Sequence, residues 1–149
     1  MRTLRTLPGF VTRLFAFGVD IFAMAAMCLL VSQSIVLTGE FFRIGAFELG
    51  RQLIEIASRA SIVAVIALYL PISWALTGRS LGKALMGLRI VRTDGSAFGF
   101  ARSFVRFAGY WVSALPFGLG FLAALFDGRR RALHDRLAGT IVVYDDRDA

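Results

Sequence analysis

Residues 14–37 read LFAFGVDIFAMAAMCLLVSQSIVL, twenty-four positions with a single charge, Asp20. A helix rises about 1.5 Å per residue, so this run is long enough to cross the roughly 30 Å hydrocarbon core of a bilayer. Further along, residues 60–76 (ASIVAVIALYLPISWAL) supply a second run with no charge at all. A third run, residues 107–126 (FAGYWVSALPFGLGFLAALF), is interrupted by Pro116, Gly118 and Gly120. Hydrophobic residues make up 57% of the 149, and they are clustered rather than spaced along one helix face, which argues against a small soluble domain. The expected fold is an all-α membrane protein of one domain over 1–149. Its parts are a first transmembrane helix at 14–37, a second at 57–77, a loop at 78–103, a broken third segment at 104–126 and a tail at 127–149.

The charges orient these spans. The net charge of +7 invites a nucleic-acid reading, but the basic residues flank apolar runs instead of forming a stripe. Arg2, Arg5 and Arg13 precede the first span, and Arg79, Lys83, Arg89, Arg92 and Arg102 follow the second, whereas the intervening loop mixes Arg43 and Arg51 with Glu40, Glu48 and Glu55. Basic loops stay on the cytoplasmic side, so the N-terminus and the 78–103 loop are expected there, in a multi-pass membrane protein. Anionic lipid headgroups are the expected partners of those basic residues, and nucleic acid is not. A cleaved secretory signal is a poor reading of residues 1–30, because the apolar run exceeds the usual 7–15 residues and contains Asp20. Cys28 stands alone, so no internal disulfide is expected. The mixed segment after Gly39 either lies on the outer interface or extends the second helix outward. Pro71 is expected to kink that helix.

Two short runs have strand character. Leu88–Arg92 (LRIVR) alternates apolar and basic residues before the turn signal Thr93-Asp94-Gly95, and Thr140–Tyr144 (TIVVY) is β-branched. Isolated strands are marginal, so the two are expected to pair as a small cytoplasmic cap. That pairing bears on the broken third segment. A straight third span would carry Arg129, Arg130 and Arg131 outside and separate the strands, whereas a helical hairpin broken at Pro116 and Gly118 returns to the cytoplasmic face. The hairpin is the preferred reading, with the straight span as its alternative.

Arg13 and Asp20 are seven residues apart and share one face of the first helix, two turns apart. A charge within a span costs roughly 2.5–3.5 kcal/mol, so Asp20 needs a proton or a partner. Arg106, at the entry of the third segment, is the expected partner, while Arg13 is expected to reach back to the interface as an anchor. Gly78-Arg-Ser-Leu-Gly-Lys83 is superficially like a phosphate loop but is one residue short, and Ala84 replaces Ser/Thr, so it reads as a turn whose basic residues meet headgroups while Leu81, Leu85 and Met86 dip into the interface. His134-Asp135 is expected to be structural, since no nucleophile is near it in sequence. No spacing fits a metal site, no cofactor loop is recognisable, and no enzymatic activity is expected.

These motifs together resemble the bacterial RDD family of membrane proteins, named for one arginine and two aspartates. The resemblance rests on Arg13-LFAFGV-Asp20, on GRSLGKALMGLRIVRTDG at 78–95, on an arginine opening the next helix (Arg102 or Arg106) and on HDRLAGTIVV at 134–143. It covers Phe10 to Val143. It implies Arg13 and Asp20 as the first two signature residues and Asp135 as the second aspartate, with Asp94 as competitor. The matched motif positions are Gly78, Ser80, Gly82, Lys83, Gly87, Arg89, Asp94, Gly95, His134, Gly139 and Thr140. The family's functional suggestion is transport, which makes Asp20 the titrating site of a proton-coupled cation exchanger. Such a pathway at this size calls for a homo-oligomer, with Ala16, Gly18, Ala23 and Ala26 allowing close helix approach. The alternative is a non-catalytic membrane scaffold or assembly partner of another membrane protein, whose buried charges hold its fold. Asp135 is expected to lie in the cytoplasm, away from the depth of Arg13 and Asp20.

Overall fold

The computed structural model describes residues 7–93, 98–115, 117–128 and 130–145. Two helices dominate it, α1 (Phe10–Phe41) and α2 (Glu48–Thr77), joined by a 3₁₀ turn at Ile44–Ala46. Both are long and apolar enough to cross a membrane. Each outruns the apolar segment that announced it, because helix formation continues into polar residues as long as backbone hydrogen bonds can be made. The segment 48–56 thus belongs to α2, the second of the two readings left open by the sequence. α2 is continuous through Pro71. The short elements follow: α3 (Leu81–Leu85), β1 (Leu88–Arg92), α4 (Phe100–Ala114), α5 (Leu119–Phe126), α6 (Leu133–Leu137) and β2 (Thr140–Tyr144).

The chain divides into two compact units, 21–69 and the remainder. Within 21–69, α1 and α2 expose large apolar side chains such as Phe22, Leu30, Phe41, Leu53 and Val63. In a membrane protein these face lipid, which is as apolar as a protein interior and draws no side chain inward. The Cys28 thiol contacts the Ile62 carbonyl at 4.0 Å. Glu48–Arg51 and Glu55–Arg59 pair along the exposed start of α2.

The other unit contains residues 10–20 of α1 with the lead-in at 7–9, residues 70–77 of α2 and the described residues after them. β1 and β2 pair antiparallel, with Leu88 opposite Tyr144, Ile90 opposite Val142 and Arg92 opposite Thr140. This is the expected pairing, and the period-2 pattern explains it: Leu88, Ile90, Thr140 and Val142 turn one face inward and are all buried. The sheet is tied to the end of α2 where Ile90 N–H donates to the Gly78 carbonyl at 2.8 Å.

The broken third segment is a bent pair, with α4 and α5 meeting at 101°. Phe117 and Gly118 are both left-handed at the break, and Gly120 packs against Ser113, where a Cβ would lie 2.5 Å from the Ser113 Cα. α4 begins beside the sheet, with Arg102 donating to the Ala138 carbonyl, and α6 returns to pack on α4. The start of α4 and α6, which follows α5, therefore lie together beside the sheet. Pro116, Arg129, Asp94, Gly95, Arg2 and Arg5 lie outside the described residues.

Candidate functional site

The unit that holds the sheet has a polar core. Asp20, Ser80, Lys83, Ser103, Arg106, Ser113, His134, Asp135 and Thr140 are all buried. Burying charge without a partner is expensive, so the pairings matter more than the identities.

One node forms around Asp20. The loop from Ser80 to Lys83 lies directly on the first turns of α1: a Cβ added to Gly82 would stand 1.9 Å from the Ala16 carbonyl oxygen. Only glycine lets the backbone come this close, and the approach brings Gly82 N–H to Asp20 Oδ1 at 2.7 Å and Ser80 Oγ to Asp20 Oδ2 at 2.5 Å. Lys83 Nζ stands 3.6 Å from the same oxygen and 3.3 Å from Ser80 Oγ. Hence a motif that resembles a phosphate loop does hold an anion, but the anion is the protein's own carboxylate.

The second node forms around Asp135, which is fully buried. Arg13 Nη1 donates to Oδ2 at 3.0 Å, and Ala132 N–H donates to the same oxygen at 3.2 Å, capping α6. Arg106 Nη2 lies 2.5 Å from Oδ1, close as an ion pair but not aligned as a hydrogen bond. Arg106 Nη1 donates to Thr140 Oγ1 at 2.8 Å. Burial pushes the Asp135 carboxyl up and the charges of Arg106, His134 and Arg13 pull it down, with the net result below the ordinary carboxylate range. His134 stacks on Tyr110 with ring centroids 4.1 Å apart and has its Nδ1 3.4 Å from Ser113 Oγ. Its pKa is lowered to about 3, chiefly by burial and further by the positive charges of Arg106, Lys83 and Arg13, so the ring is neutral at neutral pH.

Trp74 joins the nodes. It is fully buried near the end of α2, with Lys83 Nζ 5.3 Å and the Arg106 guanidinium 5.2 Å from its ring. Both distances fall within the range of cation–π attraction. Trp74 carries no charge and does not stand out within its apolar run, although an aromatic residue at the polar end of a span is a recognised interface signal.

Several expectations are corrected. The expected pairing of Asp20 with Arg106 gives way to Ser80, Gly82 and Lys83, while Arg106 is seated on Asp135. Arg13, expected as an interface anchor, is paired with Asp135, so Asp135 lies beside Arg13 after all. Lys83 is buried instead of meeting headgroups, and Leu81 and Leu85 of the same short helix are exposed. Ala16, proposed for subunit contact, is covered by the Gly82 backbone. The physical reason is common to all four: α3 folds back onto α1, and the bend between α4 and α5 brings α6 to the same place. Gly78, Gly87 and Gly139 adopt left-handed conformations at the turns flanking the strands, and Arg89 lies on the less buried face of β1.

A family model described as the RDD family matches residues 7–139. The chain belongs to the RDD family. It is 38% identical over 89 residues to YckC of Bacillus subtilis, covering 56% of this chain and 57% of that one. It is 34% identical over 67 residues to a proline-rich antigen homolog of Mycobacterium tuberculosis, covering 44% of this chain and 28% of the relative. RP437 of Rickettsia prowazekii is more distant, 24% identical, but the similarity covers 91% of this RDD chain and 95% of that protein. The chain thus spans little more than half of YckC and about a quarter of the antigen homolog. No solved structure matches.

Proposed function

We propose that this RDD protein is a non-catalytic scaffold or assembly partner of the bacterial inner membrane, crossing it twice with its N-terminus in the cytoplasm. The observation that carries this reading is the closure of Asp20. Its carboxylate is 1% exposed and accepts from Ser80 Oγ and Gly82 N–H, with Lys83 close by. A titrating transport site needs water or a passing ion at the carboxylate, whereas a structural lock needs fixed donors. The charge distribution supports the orientation: Arg13, Arg79, Lys83, Arg89, Arg92, Arg102 and Arg106 all belong to the unit that holds the sheet, while Arg43, Arg51 and Arg59 of the other unit are accompanied by Glu40, Glu48 and Glu55.

Proton-coupled cation exchange through Asp20 is the rival. Proteoliposomes of the wild-type protein and of Asp20→Asn, assayed for proton and sodium flux with thermal unfolding measured in parallel, separate the two. The scaffold reading expects no flux from either and a lower unfolding temperature for Asp20→Asn. Wild-type flux abolished by Asp20→Asn with unfolding unchanged would reverse the assignment.

A further inference from the structure

Beside the two charge nodes is a cavity of about 310 Å³ that the scaffold role does not use. Its polar end is lined by Arg13, Lys83, Arg106 and His134, and its apolar walls include Phe10, Phe17, Tyr110 and Phe121. Neither Asp20 nor Asp135 is part of the wall. The core is unbalanced, because the three cations face two carboxylates and His134 is neutral. Two of its donors are also unspent: Nε of Arg13 and Nε of Arg106 are buried without a hydrogen-bond partner. Leu14 and Phe117 line the cavity and are strongly exposed, so it opens among apolar side chains of the kind that face lipid.

We propose that this cavity binds a bilayer phospholipid with a net negative headgroup, the phosphate on Arg13, Arg106 and Lys83 and the start of one acyl chain along the aromatic wall. Charge complementarity selects the head: one anion neutralises the excess positive charge. The aromatic wall selects the chain, since a free hydrated phosphate gains nothing from Phe17 and Phe121. The volume limits the fit. At about 30 Å³ per water-sized group the cavity holds roughly ten, enough for a phosphate and the first few carbons but not for two whole chains. The remainder of the lipid stays in the bilayer, reached through the opening at Leu14 and Phe117. The inference rests on membership in a membrane-protein family and is independent of whether the protein also moves ions.

Native mass spectrometry of the full chain, released from detergent micelles containing dioleoyl-phosphatidylglycerol or dioleoyl-phosphatidylcholine, tests it. Charge-assisted contacts to the phosphate should be supplemented by headgroup selectivity of at least about tenfold for phosphatidylglycerol. Lys83→Met should bring the two lipids to near parity. Leu14→Trp, on an exposed position at the rim, should lower phosphatidylglycerol retention about tenfold with unchanged thermal unfolding, and it carries the test alone if Lys83→Met does not fold. Inorganic phosphate should compete only at concentrations far above the lipid's. Equal retention of the two lipids by the wild type, retention unaffected by Leu14→Trp, or competition by inorganic phosphate at the lipid's own concentration would each overturn the proposal.

Discussion

Replacing Asp135 with Asn tests how the polar core is held together. The carboxylate faces Arg13 at 3.0 Å and Arg106 at 2.5 Å, and its Oδ2 also accepts from Ala132 N–H at 3.2 Å. Asparagine keeps the shape and one acceptor, so the Ala132 cap survives, but its amide NH₂ must face an arginine donor. Removing one member of a buried ion pair costs about 3–5 kcal/mol, because the charge left behind has lost its compensation. Here the lower end applies. Arg106 retains Thr140 and the Trp74 face, and Arg13, with 14% of its side chain exposed, can turn toward the cavity. We expect Asp135→Asn to destabilise the protein by about 3 kcal/mol, measured by denaturant unfolding in mixed micelles. In a double-mutant cycle, Arg106→Met on the Asp135→Asn background should be far less costly than on the wild type, with a coupling of about 1–3 kcal/mol. A single variant within about 0.5 kcal/mol of wild type, or an additive cycle, would refute the account of Asp135 as the anchor of both arginines.

Three further outcomes are expected. Gly82→Ala places a methyl group 1.9 Å from the Ala16 carbonyl, so the loop must lift and the Gly82 N–H contact with Asp20 is lost; a destabilisation of about 1–3 kcal/mol by the same unfolding assay is expected. Trp74→Phe keeps an aromatic ring and sacrifices no hydrogen bond, since Trp74 Nε1 has none, so unfolding should report weakened cation–π attraction to Lys83 and Arg106 together with the void left by the smaller ring, about 1–3 kcal/mol. Stability should fall as pH drops from about 6.5 toward 3, because the unfolded chain protonates its histidine in that window while folded His134, with a pKa of about 3, does not; the slope this residue adds, at most about 1.4 kcal/mol per pH unit, should vanish in His134→Phe.

Much of the fold was legible because it is written locally. The spans at 14–37 and 60–76 are readable from length and composition alone, and both are contained in the long helices α1 and α2. LRIVR and TIVVY were recognisable from β-branching and alternation, and two lone strands have few ways to satisfy their edges other than each other. The extension of α1 to Phe41 was not legible, and that of α2 back to Glu48 was only one of two open readings, since polar residues at a helix end carry no periodic signal. In the core, Arg13, Asp20 and Arg106 stood out as charges beside or within apolar runs, Lys83 and Asp135 were marked only by the motifs that hold them, and Trp74 did not stand out, because an aromatic residue in a span is ordinary until its neighbours are known.

The sequence by itself determined where charge would be costly: an aspartate inside an apolar run and arginines at helix entries must find partners whatever the fold, because desolvation depends on residue type and surroundings. Which partner each found was decided by tertiary structure. Asp20 and Asp135 are separated by more than a hundred residues, and their choices depend on two chain reversals, one at Gly82 against Ala16 and one at Phe117 and Gly118 between α4 and α5. Ion pairs act over a few ångströms, so such reversals decide them, and helical spacing along a single segment cannot.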